Sequence, residues 1–366
     1  MPVPLLDLKA QHACIRDEVL AAMMKVIDSQ TFILGPAVEQ LEKAVAELSQ
    51  TKHAIGCASG TDALLLAFRA LEIGRGDEVV TTPFTFFATA GTIHNVGATP
   101  VFADIEPETF NLDPELAAAV VTSRTKAVVP VDLFGQMAEI ERFAKLMPNV
   151  PIVEDAAQSI GARRTIGGRI VMAGEAAAIG TLSFFPTKNL GGYGDGGMMV
   201  TQDDELATRL RRLRVHGGAR EYFHDEVGYN SRLDTLQAAV LLAKLPHLDA
   251  WSAKRRDHAR FYDDTLADVA GVRTPVVRPE NESIFNQYTI RAERRDDLAA
   301  HLKKKGIGTK VYYPLPLHLQ PCFAYLGYER GRCPEAERAA REVLSLPIYP
   351  ELTPAQLDEV AGAVRA

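Results

Sequence analysis

Apolar runs of four to eight residues alternate with helix-like segments between residues 53 and 201, and this alternation constrains the fold more than any other feature. The predicted strands are 53–58, 78–82, 99–104, 126–131, 151–154, 177–184 and 197–201. The predicted helices between the first five strands are 63–71, 84–96, 114–121 and 137–147. Strands separated by helices favour a mostly parallel sheet covered on both faces, with ligands bound outside the carboxyl ends of the strands. The expected fold class is therefore α/β.

Helical segments flank this region, and the pattern changes near residue 250. The flanking helices are predicted at 11–29, 37–49, 205–214 and 234–245. The rest of the chain is predicted to form helices 252–268, 296–305, 334–343 and 354–364 and strands 272–275, 286–292 and 309–312. A chain of 366 residues is long enough for two domains. We predict a large domain at 1–249 and a smaller C-terminal α/β domain at 250–366.

The composition favours a cytoplasmic enzyme. Hydrophobic residues make up 47% of the chain and charged residues 24%, which is enough for a large core without a membrane. A formal net charge of −7 argues against a nucleic-acid surface, and no apolar run approaches the length of a membrane span. The four cysteines show no metal-binding or C-x-x-C spacing, so we expect reduced thiols and no metal.

The stretch 181–197 carries the strongest chemical signal. A strand-like run ends at Ser183, two aromatic residues and a proline follow, and then come Lys188 and five glycines among the next nine residues. Glycines let the backbone approach a ligand closely. A lysine held away from water can lose its proton and become a nucleophile. A surface lysine in a turn is the alternative; the flanking residues favour a Schiff-base lysine at Lys188.

Three further positions have a functional and a structural interpretation. Asp155 follows a buried strand 33 residues before Lys188 and could keep a pyridinium nitrogen protonated, or could cap a helix. Gln158 could bond the hydroxyl of the same ring, and Phe86 could stack on that ring or lie in the core. The turn Ser59-Gly-Thr-Asp leads from a strand into a helix and is either a phosphate site or an ordinary N-cap.

Six motifs in this order resemble one family. They are Leu5-Leu-Asp-Leu, Phe32-Ile-Leu-Gly-Pro, Ser59-Gly-Thr-Asp-Ala-Leu, Glu154-Asp-Ala-Ala-Gln, Ser183-Phe-Phe-Pro-Thr-Lys and Tyr312-Tyr-Pro. Nearly the whole chain is similar to the DegT/DnrJ/EryC1/StrS sugar aminotransferases. The resemblance implies a pyridoxal phosphate (PLP)-dependent enzyme of the type I, aspartate aminotransferase-like fold.

The resemblance also implies a role for each matching residue. Lys188 would form the Schiff base with PLP, and the other expected cofactor contacts are Asp155 at the ring nitrogen, Gln158 at the ring hydroxyl, Phe86 on the ring face, and Gly60, Thr61, Ser183 and Asn230 at the phosphate. Asn230 would come from a second subunit, which implies a homodimer with shared active sites. Glutamate would load the cofactor as pyridoxamine phosphate (PMP), and a nucleotide-linked keto-sugar would accept the amino group.

Within the family, Phe185 resembles the enzymes that aminate C3 of the sugar. The most similar group aminates UDP-2-acetamido-3-keto-hexuronic acid for O-antigen polysaccharides. Arg232 could pair with a uronate carboxylate or a diphosphate, or form a structural salt bridge. Tyr312 and Tyr313 stand where that group commonly has His-Tyr, and both could contact substrate or cofactor.

Two alternatives remain open at this point. One is a dTDP-3-keto-6-deoxyhexose C3 aminotransferase, and another is a catalytically silent sugar-nucleotide-binding regulator with the same fold. A PMP-dependent dehydratase would carry histidine at position 188. A nicotinamide dehydrogenase is disfavoured because no G-x-G-x-x-G turn follows an early strand.

Overall fold

The computed structural model describes residues 2–220 and 222–366. The helices are α1 Leu8–Ser29, α2 Pro36–Leu48, α3 Gly60–Ala70, α4 Ala88–Asn95, α5 Pro114–Ala119, α6 Ile140–Leu146, α7 Asp204–Leu213, α8 Thr235–Lys244, α9 Leu248–Leu266, α10 Arg295–Lys304, α11 Pro334–Glu342 and α12 Pro354–Arg365. Short 3₁₀ helices occur at Leu133–Gly135, Leu245–His247, Leu317–Leu319 and Pro321–Leu326.

The strands are β1 His53–Cys57, β2 Glu78–Thr81, β3 Thr99–Phe102, β4 Thr125–Val129, β5 Val153–Asp155, β6 Arg163–Ile166, β7 Arg169–Met172, β8 Ile179–Ser183, β9 Gly197–Thr201, β10 Val272–Arg273, β11 Asn281–Glu282, β12 Tyr288–Ala292 and β13 Val343–Leu346.

The large sheet is mostly parallel, as predicted. Its two parts have the strand orders β1-β9-β8-β5 and β3-β2-β4, and the parallel bridges Val128–Ile152 and Val131–Asp155 join β4 to β5. Strand β9 runs antiparallel to β1 and β8, whereas the pairs β5–β8, β2–β3 and β2–β4 are parallel. Strands β5 and β8 therefore deliver Asp155 and Ser183 to the same edge of the sheet.

Two apolar layers cover the faces of this sheet. Helix α3 buries Leu64, Leu66 and Phe68 in one cluster with β1, β2 and β9. Helices α2 and α8 pack on the opposite side in a cluster that includes Leu41 and Leu241. Both faces are thus withdrawn from water, which is the reason that the strands read as almost continuous apolar runs.

The C-terminal part has its own three-stranded antiparallel sheet, in the order β10-β12-β13. Helices α9, α10 and α12 pack on this sheet through a cluster that contains Tyr262, Tyr288 and Val360. The domain boundary between residues 249 and 250 falls in the first turn of α9 and stays a prediction. None of the helices in the described ranges is long and apolar enough to cross a membrane.

One local prediction is wrong, and one hairpin was not predicted. The strand predicted at 309–312 is wrong: in this part of the described chain only an isolated bridge pairs Lys310 with Ser345. The hairpin of β6 and β7 was not predicted, although Gly167 and Gly168 form its turn with φ values of 57° and 82°. A Gly-Gly pair is a local signal for such a tight hairpin because glycine adopts positive φ without strain.

Candidate active site

The first element of the site is the N-terminus of α3. The side chain of Ser59 caps this helix, with Oγ accepting a hydrogen bond from the Asp62 N–H at 3.1 Å, so the N-cap interpretation is confirmed. A Cβ placed on Gly60 would lie 2.7 Å from Cβ of Ser183. The absence of a side chain at Gly60 thus brings the helix N-terminus against the end of β8. Amide donors and the positive end of the helix dipole converge there, next to the Ser183 hydroxyl.

Lys188 lies five residues beyond Ser183, in the turn that follows β8. Its peptide N–H donates to Phe185 O at 2.9 Å, and the residue is half-buried. Desolvation lowers the pKa of its amine to about 8, while the charge of Asp155 acts in the opposite direction. A substantial fraction of the amine is therefore neutral near pH 8, as a nucleophile requires.

Asp155 ends β5 and is buried. Its Oδ2 accepts from Thr89 Oγ1 at 2.8 Å, and Oδ1 accepts from the Ala157 N–H at 3.3 Å. Burial raises the pKa of this carboxyl above its ordinary value, against the opposing effects of Thr89, Ala157 and Lys188. A carboxyl in this state holds a fixed orientation and favours a cationic partner.

Gln158 is buried one turn beyond Asp155. Its Oε1 accepts from the Phe134 N–H at 2.7 Å, and its Nε2 donates to the Tyr313 hydroxyl at 3.3 Å. Burial raises the pKa of Tyr313, so its hydroxyl is neutral at pH 7. Tyr313 also lies edge-on to Phe84 and to Tyr312, with ring centroids 6.1 and 5.8 Å away. The C-terminal residues Tyr312 and Tyr313 thus reach the Gln158 side of the site.

Phe86 is 59% exposed, so the alternative that it lies in the core is wrong. Its carbonyl accepts from the Thr89 N–H at 3.3 Å, and Thr89 in turn donates to Asp155. The exposed ring is thereby placed one helical turn from the residue that fixes Asp155. Phe185, three residues before Lys188 in sequence, is likewise half exposed.

Asn230 and Arg232 line a groove beside the N-cap of α3. Its lining also includes Ser59, Gly194 and Gln237. Asn230 is exposed and Arg232 is half-buried. No ion pair of Arg232 occurs within residues 2–220 and 222–366, so the structural salt bridge is not formed within these ranges. Thr61, at the same helix N-terminus, is exposed.

Sequence reasoning missed two further buried carboxyls near Asp155, those of Asp132 and Glu154. Asp132 accepts from Ser159 Oγ at 2.7 Å, and Glu154 accepts from the Gly174 N–H at 3.0 Å. Burial raises the pKa of Asp132 to about 6 and that of Glu154 well above its usual range, and the charge of Asp132 raises the pKa of Glu154 further. The Asp132 N–H donates to Asp155 O at 3.0 Å. The signal was available: Asp132, like Asp155, directly follows an apolar strand.

Thr89 was missed as well, and no local signal distinguishes it from other helical threonines. The described residues contain no group of histidine, cysteine and acidic side chains that could hold a metal ion. The four cysteines are free, with Cys57 and Cys333 buried. The chemistry available at this edge is thus that of a desolvated amine, a buried carboxyl and an anion-binding helix end.

Comparison with known proteins agrees with this chemistry. The family model for the DegT/DnrJ/EryC1/StrS aminotransferases matches residues 13–365. The chain belongs to this family. The predicted family and enzyme class, an aminotransferase, are therefore confirmed.

Among the proteins similar to this chain, one is named as a regulator and others are named as enzymes. A "pleiotropic regulatory protein" of Geobacillus stearothermophilus is 52% identical over 100% of this chain and 98% of the relative. The UDP-2-acetamido-2-deoxy-3-oxo-D-glucuronate aminotransferase of Pseudomonas aeruginosa is 44% identical over 99% of each chain. The dTDP-3-amino-3,4,6-trideoxy-alpha-D-glucose transaminase of Streptomyces venezuelae is 45% identical over 99% of this chain and 95% of that protein.

Solved structures of family members share the whole fold. DesV of S. venezuelae, in complex with a ketimine intermediate, has a TM-score of 0.96 and 44% identity over 100% of this chain and 98% of DesV. NtdA of Bacillus subtilis with bound PMP has a TM-score of 0.91 and 30% identity over 99% of this chain and 84% of NtdA. The predicted fold class and the predicted cofactor, PLP, are confirmed.

Proposed function

We propose that this aminotransferase moves an amino group from L-glutamate to C3 of a nucleotide-linked keto-sugar, with UDP-2-acetamido-3-keto-hexuronic acid as the acceptor. One observation carries the proposal. The N-terminus of α3, Ser183, the desolvated amine of Lys188 and the buried carboxyl of Asp155 lie along the carboxyl edge of one sheet. This edge offers an anion site, a nucleophile and a partner for a ring nitrogen.

The residues fit PLP. The cradle of Gly60, Thr61 and Ser183 would hold its phosphate, and the exposed ring of Phe86 would cover one face of its ring. When bound, this cofactor supplies a carbonyl carbon that takes up an amino group and a ring that withdraws electrons from it. Gln158 would donate to the ring hydroxyl with the N–H that it does not use on Tyr313.

Lys188 would act first as nucleophile and then as proton carrier. Its neutral amine would hold the cofactor through the carbonyl carbon, with the carbonyl oxygen released as water, and would be freed when the amine of the donor takes its place. The released amine then removes a proton from one carbon and returns it to another. Asp155, oriented by Thr89, would keep a proton on the ring nitrogen, which favours electron withdrawal throughout.

A homodimer would complete this site. Asn230 and Arg232 line an exposed groove that includes Ser59 but not Lys188, and residues at the edge of one site in this way could also reach the site of a second copy. Large apolar side chains near them are exposed, with Tyr222 at 86%, Phe223 at 64% and Val227 at 81%. Burial of such a patch against a second copy would remove it from water.

The choice of sugar rests on Phe185 and Arg232. An arginine without an ion pair among the described residues, as Arg232 is, can bind a uronate carboxylate or a diphosphate through two parallel hydrogen bonds. The Pseudomonas relative acts on a UDP-linked 3-oxo-glucuronate, and the Streptomyces relative is a transaminase of a dTDP-linked sugar without a carboxylate. A dTDP-3-keto-6-deoxyhexose is therefore the second candidate. If the acceptor is UDP-2-acetamido-3-keto-hexuronic acid, the product would serve the synthesis of O-antigen polysaccharides.

The visible absorption spectrum of the protein with PLP tests these proposals. L-glutamate should convert the lysine-bound cofactor to PMP, and the two keto-sugars, added separately, should reverse this change at different rates. A preference for the uronate that is lost in Arg232→Met supports the first substrate; a faster response to the dTDP-linked sugar supports the second. A spectrum indifferent to glutamate, alanine and glutamine would favour a catalytically silent regulator.

A further inference from the structure

The segment Ser283–Gln287, here called the strap, joins the C-terminal part of the chain to both sides of the active site. It lies between β11 and β12. Ile284 is fully buried in the core cluster of the large sheet, together with Phe184 and Leu190, which flank the Lys188 turn. The strap is thus packed directly beneath the segment that carries Lys188.

On one side the strap bonds the 3₁₀ helix Leu133–Gly135. The Ile284 N–H and the Ser283 hydroxyl both donate to Gly135 O at 3.0 Å. A Cβ on Gly135 would lie only 2.8 Å from the Asn286 nitrogen, so this approach requires glycine. Phe134, the neighbouring residue, donates its N–H to Gln158. The strap therefore supports the residue that faces the ring hydroxyl in the proposed site.

On the other side the strap bonds Asn189, the residue that follows Lys188. Asn189 Nδ2 donates to Ile284 O at 3.0 Å, and Asn286 Nδ2 donates to Asn189 Oδ1 at 2.7 Å. Both asparagines are buried. Each bond withdrawn from water is costly to lose, because the freed amide group finds no water to replace its partner. The amide pair thus fixes the backbone immediately after Lys188.

The strap is itself held in one conformation. The buried guanidinium of Arg255 in α9 donates to Phe285 O at 3.1 Å and to Ile348 O at 2.8 Å. Phe285 has a φ of 44°, a conformation that is unfavourable for a bulky residue. The Ser283 Oγ accepts from the Phe285 N–H at 3.1 Å. These contacts maintain a strained backbone, which is common where a segment must present its groups in a single arrangement.

We propose that Asn286 is a positioning residue for Lys188, acting through Asn189, and that the strap sets the placement of Lys188 relative to Gln158. This inference rests on the proposed role of Lys188 as the residue that bonds the cofactor. It assigns to the C-terminal part of the chain a direct part in the geometry of the reaction. Movement of the strap would displace the Lys188 turn and the Phe134 peptide together.

The test measures capture of PLP by the apoenzyme. Borohydride reduction traps the bond between cofactor and lysine, and peptide mass locates it. Asn286→Ala should slow capture at Lys188 about tenfold and shift its pH midpoint by about half a unit, because the amine samples several positions. Asn286→Asp, which keeps the side-chain volume but cannot donate to Asn189, should behave in the same way. Intact near-ultraviolet circular dichroism shows that each variant is folded.

Gln287→Ala is the matched control. Gln287 belongs to the same strap, but its side-chain oxygen has no hydrogen-bond partner among the residues described, so capture should equal that of the wild type. Asn189→Ala also loses the bond to Ile284 O, so it should slow capture at least as much as Asn286→Ala. The double variant should be no slower than Asn189→Ala, since Asn286 acts through Asn189. Wild-type rates and midpoints in folded Asn286→Ala and Asn286→Asp would overturn the inference. Failure of the wild type to trap PLP at Lys188 would instead overturn the proposed function.

Discussion

Two lysines near the glycine-rich turn have the same acidity and different surroundings. Desolvation lowers the pKa of both Lys188 and Lys244 to about 8. Lys244, in α8, is 2% exposed; its Nζ donates to Gly191 O at 2.8 Å and lies 4.7 Å from the ring centre of Tyr193. Lys188 is half-buried, and its amine donates no hydrogen bond to any residue in the described ranges.

The difference shows that a lowered pKa does not by itself identify a nucleophile. Lys244 uses its amine to hold the turn, because Gly191 closes against Pro186 so tightly that a Cβ would lie 2.4 Å from the Pro186 oxygen. Lys188 leaves its amine free, with Asp155 as its charged neighbour. A free electron pair and access to the ligand separate the proposed catalytic lysine from the structural one.

The largest effect is expected from removing the free lysine. Lys188→Ala should lower transamination by more than about 10⁴-fold, because neither the covalent bond nor the proton carrier remains. The spectrum should show PLP bound without a lysine bond. Lys244→Met is the matched control and should keep the lysine-bound spectrum. Substantial turnover by Lys188→Ala, or loss of that spectrum in Lys244→Met, would contradict the assignment.

Asp155→Asn should change the pKa of Lys188 without changing that of Lys244. Since the Asp155 carboxylate opposes the desolvation of Lys188, its loss should lower the pKa of Lys188 below about 8 and leave Lys244 unchanged. Turnover should fall about 10²-fold or more, as a charge that stabilises the reacting ring is lost. The pH midpoint of PLP capture measures the first effect. A midpoint that stays at the wild-type value would show that the two groups do not interact.

The wild-type pH profile should follow Lys188 alone. Below about pH 8 its amine is protonated and cannot attack, so PLP capture should fall about tenfold per pH unit and should level off above pH 8. Peptide mass after borohydride reduction should show label on Lys188 only, since Lys244 is enclosed. If Lys244 were labelled at a comparable rate, accessibility to the cofactor would not distinguish the two lysines.

The smallest effect concerns stability. The pKa of Lys244 is lower in the folded chain than in the unfolded chain, so the unfolded chain binds more protons between about pH 8 and 10.5 and stability rises with pH in that window. Lys244→Met removes this dependence. We compare the free energy of unfolding of the variant with that of the wild type at each pH. The difference, variant minus wild type, should be larger at pH 7 than at pH 10 by on the order of 1 kcal/mol. Urea unfolding at both pH values measures the change, and a constant difference would contradict it.

The residues that the sequence singled out were those with local signals. Lys188 was found from glycine density and aromatic neighbours, and Asp155 from its place after an apolar strand. The same signal precedes Asp132, which was overlooked, and the Gly167-Gly168 turn shows that a strong hairpin signal can also be passed over. The strand predicted at 309–312 failed because apolar content alone cannot show whether a partner strand pairs with it.

The sequence by itself was enough to predict the alternation of strands and helices, the family and the importance of Lys188. Capping, turn chemistry and hydrophobic periodicity act over a few residues, so they can be recognised locally. Tertiary structure alone decided the approach of Gly60 to Ser183, the burial of both Asp132 and Glu154 and the bonds from the strap to Asn189. Asn189 and Ile284 are 95 residues apart in the chain. Contacts at that separation depend on how complete layers pack, and no local rule encodes them.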